Sequence, residues 1–154
     1  MIASYEIGLA QPSDAERIAA LSRRTVEYGL DWTWTPRRVL RSLTDAATNT
    51  IVARGAGPLL GFAIMKYRDT EAHLLLLAVE AAQRRRGVAS ALLEWLEITV
   101  RTAGIESIRA EVRASNRAAR AFYRRRGFAV RRTLPGYYQG VDDALVLVKP
   151  IAAV

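Results

Sequence analysis

The sequence predicts an α/β or α+β domain built around a mixed sheet, and three observations carry that reading. Hydrophobic residues change along the chain from a period of two to a period near four and back again. Turn and cap signals separate the periodic segments, among them Gly55-Ala56-Gly57-Pro58, Gly104 and Gly127. No repeat, low-complexity tract or Pro/Ser-rich linker divides the 154 residues, so one domain is expected over 1–154.

Taken in order, Ser4 to Leu9 alternates and reads as a first strand. Ser13-Asp14-Ala15-Glu16 has capping-box spacing, with Ile18, Leu21 and Thr25-Val26 on one helical face behind it. Thr35-Pro36 is an N-cap followed by proline at the first helical position, opening a helix through Val39, Leu40 and Leu43. Ile51 to Arg54 and Leu59 to Tyr67 read as strands, and Ala72 to Val79 as an apolar strand buried on both faces. Beyond Gly87, Val88, Leu92, Leu96 and Val100 recur every four residues, and Gly104 stands where a helix C-cap belongs. Ile105 to Val112 is a strand. Ser115 or Asn116 then caps a short helix ending at Gly127, and Phe128 to Arg131 and Ala144 to Val148 close the chain as strands.

Composition narrows the function. Hydrophobic residues make up 51% of the chain, enough for a sizeable core, and Cys is absent. Disulfides, thiolate nucleophiles and cysteine-based zinc sites are thereby excluded. The single histidine, His73, cannot form a metal cluster alone and reads as an ordinary residue at the start of a strand. No metal site is expected. The N-terminus lacks a signal-peptide pattern, and the longest apolar run, Leu74 to Val79, is too short to span a bilayer, so a cytoplasmic protein without a membrane partner is expected. The formal charge of +8, from 23 basic and 15 acidic residues, attracts anions: nucleic acid, acidic protein or a phosphorylated cofactor.

The arginines choose among these. Arg84-Arg85-Arg86-Gly87-Val88-Ala89-Ser90 links the apolar strand to the long helix. Backbone N–H groups at a helix start have no intrahelical partner and carry the positive end of the dipole, so they bind phosphate. Gly87 and the small Ala89 let the backbone come close to a pyrophosphate, and the arginines add charge-assisted hydrogen bonds. A solvated basic turn is the competing reading.

Arg84-x-x-Gly87-x-Ala89, after Leu77-Ala78-Val79 and before Leu92-Leu93, resembles the pyrophosphate loop of the GNAT superfamily of N-acetyltransferases. Glu111-Val112-Arg113-Ala114-Ser115-Asn116, Ala118-Ala119, Ala121-Phe122-Tyr123 and Gly127-Phe128 are similar to the branch that acetylates the N-terminal alanine of a ribosomal protein, the RimI-like branch. Tyr137-Tyr138 followed by Asp142-Asp143-Ala144-Leu145 resembles the same branch, and Trp34-Thr35 resembles its entry to the second helix. Asp31-Trp32-Thr33-Trp34 and the all-leucine run Leu74 to Leu77 depart from it, near the acceptor side.

The resemblance implies a mixed, mostly antiparallel sheet of six or seven strands with about four helices, and a cofactor-binding half over about 72–130. It implies acetyl-CoA as cofactor and a primary amine as acceptor, either a protein N-terminus or a small molecule. Direct transfer in a ternary complex follows, since no covalent acyl-enzyme is suggested without Cys.

The resemblance makes Glu111 the general base, directly or through one water. A carboxylate paired with Arg109 or Arg113 is the competing reading. Tyr123 matches the tyrosine that assists the departing thiolate, set against simple packing beside Phe122. Leu77, Ala78 and Val79 resemble the segment that pairs with the pantetheine arm, Arg84 to Ser90 hold the pyrophosphate, and Asn116 contacts the cofactor or caps its helix. Trp32, Trp34, Tyr137 and Tyr138, read as loop residues, are assigned to the acceptor groove, with satellite core or a dimer contact as the alternative. Arg124-Arg125-Arg126 forms a helix end able to reach the ribose phosphate. Monomer and homodimer both stay open, and a basic nucleic-acid-binding module without catalysis is the least favoured function.

Overall fold

Strand formation follows the period-two segments, and the computed structural model describes residues 4–84 and 86–152. The strands are β1 (Glu6–Leu9), β2 (Thr48–Arg54), β3 (Leu59–Lys66), β4 (Glu71–Val79), β5 (Ser107–Arg113), β6 (Ala129–Tyr138) and β7 (Asp142–Pro150). They form one sheet in the order β1-β2-β3-β4-β5-β7-β6. Every neighbouring pair is antiparallel except β4 and β5. Four α-helices are described: α1 (Ala15–Thr25), α2 (Pro36–Thr44), α3 (Val88–Thr102) and α4 (Arg117–Arg125). The expected architecture, a mostly antiparallel sheet with four helices, is the one observed.

The helix starts differ in how closely they follow their signals. At α2, the Arg38 amide donates to Thr35 Oγ1 at 3.4 Å and Pro36 occupies the first turn, as the spacing predicts. At α1 the cap lies earlier than the expected Ser13 box. A 3-10 turn over Pro12–Asp14 precedes the helix, and the Gln11 amide donates to Asp14 Oδ2 at 2.8 Å. Asp14 also accepts from Arg54 Nη2 at 2.7 Å, which ties this turn to β2. Gly104 (φ 74°) and Gly127 (φ 93°) adopt the left-handed conformation just past α3 and α4, as their cap roles require.

Two cores sandwich the sheet. One packs Val88, Leu92, Leu93, Leu96 and Val100 of α3 with Tyr123 of α4 against Ala63, Met65, Leu74, Ala110 and Val112. The other packs Ile18 and Leu21 of α1, Val39 of α2 and Trp34 against Val52, Phe62, Ile64, Leu76 and Ala78. The strand buried on both faces is β3, not β4 as expected: all of β3 but Lys66 is buried, whereas burial alternates along β4. A bulge explains the β4 pattern. Met65 pairs with Leu74 and Ile64 with Leu76, leaving Leu75 as the extra residue, so Leu74 serves one core and Leu76 the other.

The bulge bends β4 away from β5. Their parallel ladder covers only Glu71–Leu74 against Ser107–Ala110; beyond it β4 follows β3 while β5 follows β7. Gly61, paired with Val79, holds β3 and β4 close at this end: a Cβ there would lie 2.8 Å from the Ala78 carbonyl oxygen and 3.3 Å from Val79 Cα. Backbone cannot yield as a side-chain end does, so Gly61→Ala is expected to destabilise the protein by about 1–3 kcal/mol. Chemical denaturation checks this as a lower midpoint at unchanged slope.

Candidate active site

Past Leu74 and Ala110 the two strands diverge, so among the described residues no strand partners the β5-facing main chain of residues 75–79. Such an edge offers N–H and C=O groups to an extended ligand. The gap opens into a cavity of about 620 Å³, a size common to small-molecule sites. Leu77, Ala78 and Val79 line it from β4, Glu111, Val112 and Arg113 from β5, and Asn116, Phe122 and Tyr123 from α4.

Strand alternation sends Ile108, Ala110 and Val112 into the α3 core, which turns Arg109 and Glu111 to the α1/α2 side. His73 is the register partner of Arg109 and shares that face. Its Nε2 lies 2.9 and 2.8 Å from Glu111 Oε1 and Oε2, and its Nδ1 lies 3.0 Å from Arg109 Nη2. Glu111 is therefore neither an exposed carboxylate nor simply an arginine's partner, since Arg109 Nε is 3.9 Å away. From sequence alone His73 reads as an ordinary residue at the start of a strand. Its signal was a single polar side chain opening an apolar strand, and only the parallel register brings it to Glu111.

Tyr123 belongs to the opposite core, edge-on to Phe122 and Phe128 at centroid distances of 5.3 and 5.1 Å. Glu111 and Tyr123 thus line the same cavity from opposite faces of the sheet. Burial first, then Tyr138 and Glu111, push the Tyr123 phenol well above its usual range. Burial and Glu111 also raise the phenol of Tyr137, and burial does so strongly for Tyr138.

The turn before α3 fits a diphosphate. Gly87 has φ 77°, which an L side chain rarely adopts, and among the described residues nothing lies within 4 Å of where its Cβ would stand. Arg84 and Ala89 line the cavity, while Arg86, Gly87, Val88 and Ser90 continue the turn outside its lining. Val88 turns its side chain into the core and has only its backbone to offer a ligand. Arg126 hydrogen-bonds Ser90 Oγ, and Arg86 Nη2 donates to Ser4 Oγ at 2.8 Å. Arg85 lies outside the described residues. Asn116 caps α4, its Oδ1 accepting from the Ala119 amide at 3.0 Å, while also lining the cavity.

The four aromatics separate. Trp34 lines the cavity but is buried in the α1/α2 core, with the Arg38 guanidinium 3.8 Å over its ring. Trp32 is not among the lining residues. It packs on that core under Arg23, and its Nε1 is buried without a partner among the described residues. Tyr137 and Tyr138 do line the cavity, but they end strand β6 rather than occupying a loop. The loop from Val26 to Thr35 forms the remaining wall. Buried Glu27 accepts from the Thr33 and Trp34 amides at 3.1–3.2 Å. Gln139 brackets Asp31, accepting from its amide at 2.7 Å and donating to its carbonyl at 3.1 Å.

Arg113 pins this wall to β5. Its Nη1 donates to the Tyr28 and Val26 carbonyls at 2.7 and 3.3 Å, and its Nε donates to Asp142 at 3.2 Å. A hydrogen bond from Ser115 and the Arg113 cation hold the Asp142 carboxyl below the usual carboxylate range.

Comparison with known proteins agrees with this geometry. The sequence model of the Acetyltransferase (GNAT) family matches residues 15–128. The [ribosomal protein bS18]-alanine N-acetyltransferase of Salmonella typhimurium is 39% identical over 94 residues, which span 59% of this chain and 64% of that relative's length. The crystal structure of Ard1 from Thermoplasma volcanium superposes with a TM-score of 0.84 at 30% identity, covering 97% of this chain and 99% of that one. The ribosomal-protein-S18-alanine N-acetyltransferase of Escherichia coli also gives 0.84, at 26% identity, covering 97% and 96%.

Replacing the guanidinium by an isosteric apolar chain in Arg113→Met should release the Val26 to Thr35 wall. Hydrogen exchange at the Asp31, Thr33 and Trp34 amides is expected to quicken while α3 amides keep their protection.

Proposed function

The chain belongs to the acetyltransferase (GNAT) family, and from that premise we propose that it transfers the acetyl group of acetyl-CoA directly to a primary amine, the N-terminal α-amine of a protein or peptide. The observation that carries this reading is the convergence of Glu111 and Tyr123 on the β4–β5 gap, next to an open glycine turn at the start of α3. The names of the relatives, an alanine N-acetyltransferase among them, support the acceptor class.

Acetyl-CoA supplies an activated acyl carbon and a thiolate leaving group. The turn from Arg84 to Ser90, with Val88 acting through its main chain, holds the diphosphate, and the free edge of Leu77, Ala78 and Val79 aligns the arm that follows it. Glu111 takes the proton that the amine nitrogen must shed before it can attack. Tyr123, a phenol that carries its proton at neutral pH, donates a hydrogen bond or its proton to the sulfur and so eases departure of the thiolate as the carbon–sulfur bond breaks. Tyr137, Tyr138 and Trp34 border the acceptor approach. The chain contains no cysteine to carry the acetyl group as a thioester, which supports direct transfer.

Thiol release assayed with a panel of peptides and a panel of metabolite amines tests the acceptor class; turnover confined to metabolite amines would reject the peptide reading. Glu111→Gln should lower kcat by about 100-fold or more while leaving acetyl-CoA affinity intact. Gly87→Glu should remove acetyl-CoA binding in calorimetry, since it strains a positive φ and sets a carboxylate against the diphosphate. Undiminished affinity in that variant would reject the turn as the diphosphate site.

A further inference from the structure

The chain contains a single histidine, and its two ring nitrogens face unlike neighbours. Nδ1 lies 3.0 Å from Arg109 Nη2, and Nε2 lies 2.9 and 2.8 Å from the two Glu111 oxygens. A guanidinium nitrogen only donates, so Nδ1 has to be the bare, accepting nitrogen. The proton of the neutral ring then sits on Nε2 and is donated to the carboxylate. From this chemistry we propose that Arg109 locks His73 in its Nε2–H form, and that His73 in this form is a positioning residue that aims Glu111 at the acceptor.

The arrangement also decides which of two adjacent groups is the base. With Nδ1 accepting from Arg109 and Nε2 already protonated, the ring has no lone pair left for an amine proton. The carboxylate does. Nearly equal distances from Nε2 to both oxygens place the N–H between them, which holds the carboxylate plane beside the gap, where the Tyr137 phenol also reaches Glu111. The pair is shielded, with side-chain exposures of 16% for His73 and 12% for Glu111, so its hydrogen bonds meet little competing water.

Arg109 is itself held in place. Its Nη1 lies 3.5 Å from Glu71 Oε1, while Glu71 Oε2 accepts from Arg131 Nη2 at 2.8 Å. The other charge near this register position, Lys66 opposite His73 on β3, is paired with Asp45 at 3.6 Å. Alternating charges along Arg131, Glu71 and Arg109 therefore converge on one histidine nitrogen.

Being the only histidine, His73 can be read without assignment ambiguity. In the uniformly 15N-labelled full chain, two-bond proton–nitrogen correlations of the imidazole should show one neutral tautomer with bare Nδ1 at neutral pH. Arg109→Met should let Nδ1 gain a proton, because the Glu111 carboxylate still accepts from Nε2–H while the donor that kept Nδ1 bare is gone. A protonated Nδ1 in the unsubstituted protein, or an unchanged spectrum in Arg109→Met, overturns the lock.

The positioning role rests on Glu111 as base and is tested by kinetics. His73→Phe should lower kcat about 10- to 100-fold, the scale of a misplaced reacting group, without changing acetyl-CoA affinity. His73→Gln, whose amide N–H replaces Nε2–H, should recover most of that loss. An unaffected His73→Phe, or a His73→Gln as slow as His73→Phe with intact melting behaviour, rejects the role. If no amine is acetylated by the unsubstituted protein, the proposed function and the positioning role fail together, while the imidazole spectrum still judges the tautomer.

Discussion

The site depends on a hydrogen-bond ladder that stops early. A sheet normally continues pairing because an unpaired backbone group in a dry interior is costly. Here β4 and β5 pair over Glu71–Leu74 and Ser107–Ala110 and then part. The bulge at Leu75 bends β4 toward β3, and β7 keeps β5 on its own course. The separation is thus enforced from both sides rather than left to a weak contact. It creates the free main-chain edge and a cavity lined by side chains from both faces of the sheet.

That geometry assigns each helix a position without direct chemistry. α3 presents its first amides beside the gap because Gly87, with a positive φ, turns the chain sharply after β4. α4 carries Tyr123 into the α3 core and stops at Gly127, which leaves Arg126 within reach of Ser90. α1 and α2 cover the other face, and the loop between them becomes a wall only because Arg113 and Gln139 fasten it to β5 and the β6–β7 turn. Its conformation is therefore a tertiary property, held by partners roughly 85 to 108 residues away in sequence.

How much of this could be read beforehand follows from where the interactions lie. Local signals carried the helices: Thr35-Pro36 at α2, Val88 to Val100 with Gly104 at α3, and Asn116 with Gly127 at α4. The glycine turn was legible because its chemistry is sequential. Glu111 and Tyr123 came from a family pattern rather than from spacing. His73 was missed because its partner stands 38 positions on and is brought close by strand register. The reading of β4 as doubly buried failed for the same reason, since six apolar residues do not reveal a bulge or an absent neighbour. Trp32 fails as a groove residue because an aromatic beside a cavity and an aromatic in a satellite core look alike in sequence.

The short ladder between β4 and β5 also has a mechanical meaning. It divides the sheet into two antiparallel blocks, four strands on one side and three on the other, sewn together by four residue pairs. Rotation about that seam changes the width of the gap at its open end more than at its root. The distance between the walls is consequently governed by stiffness at Glu71 to Leu74, several residues from any reacting atom.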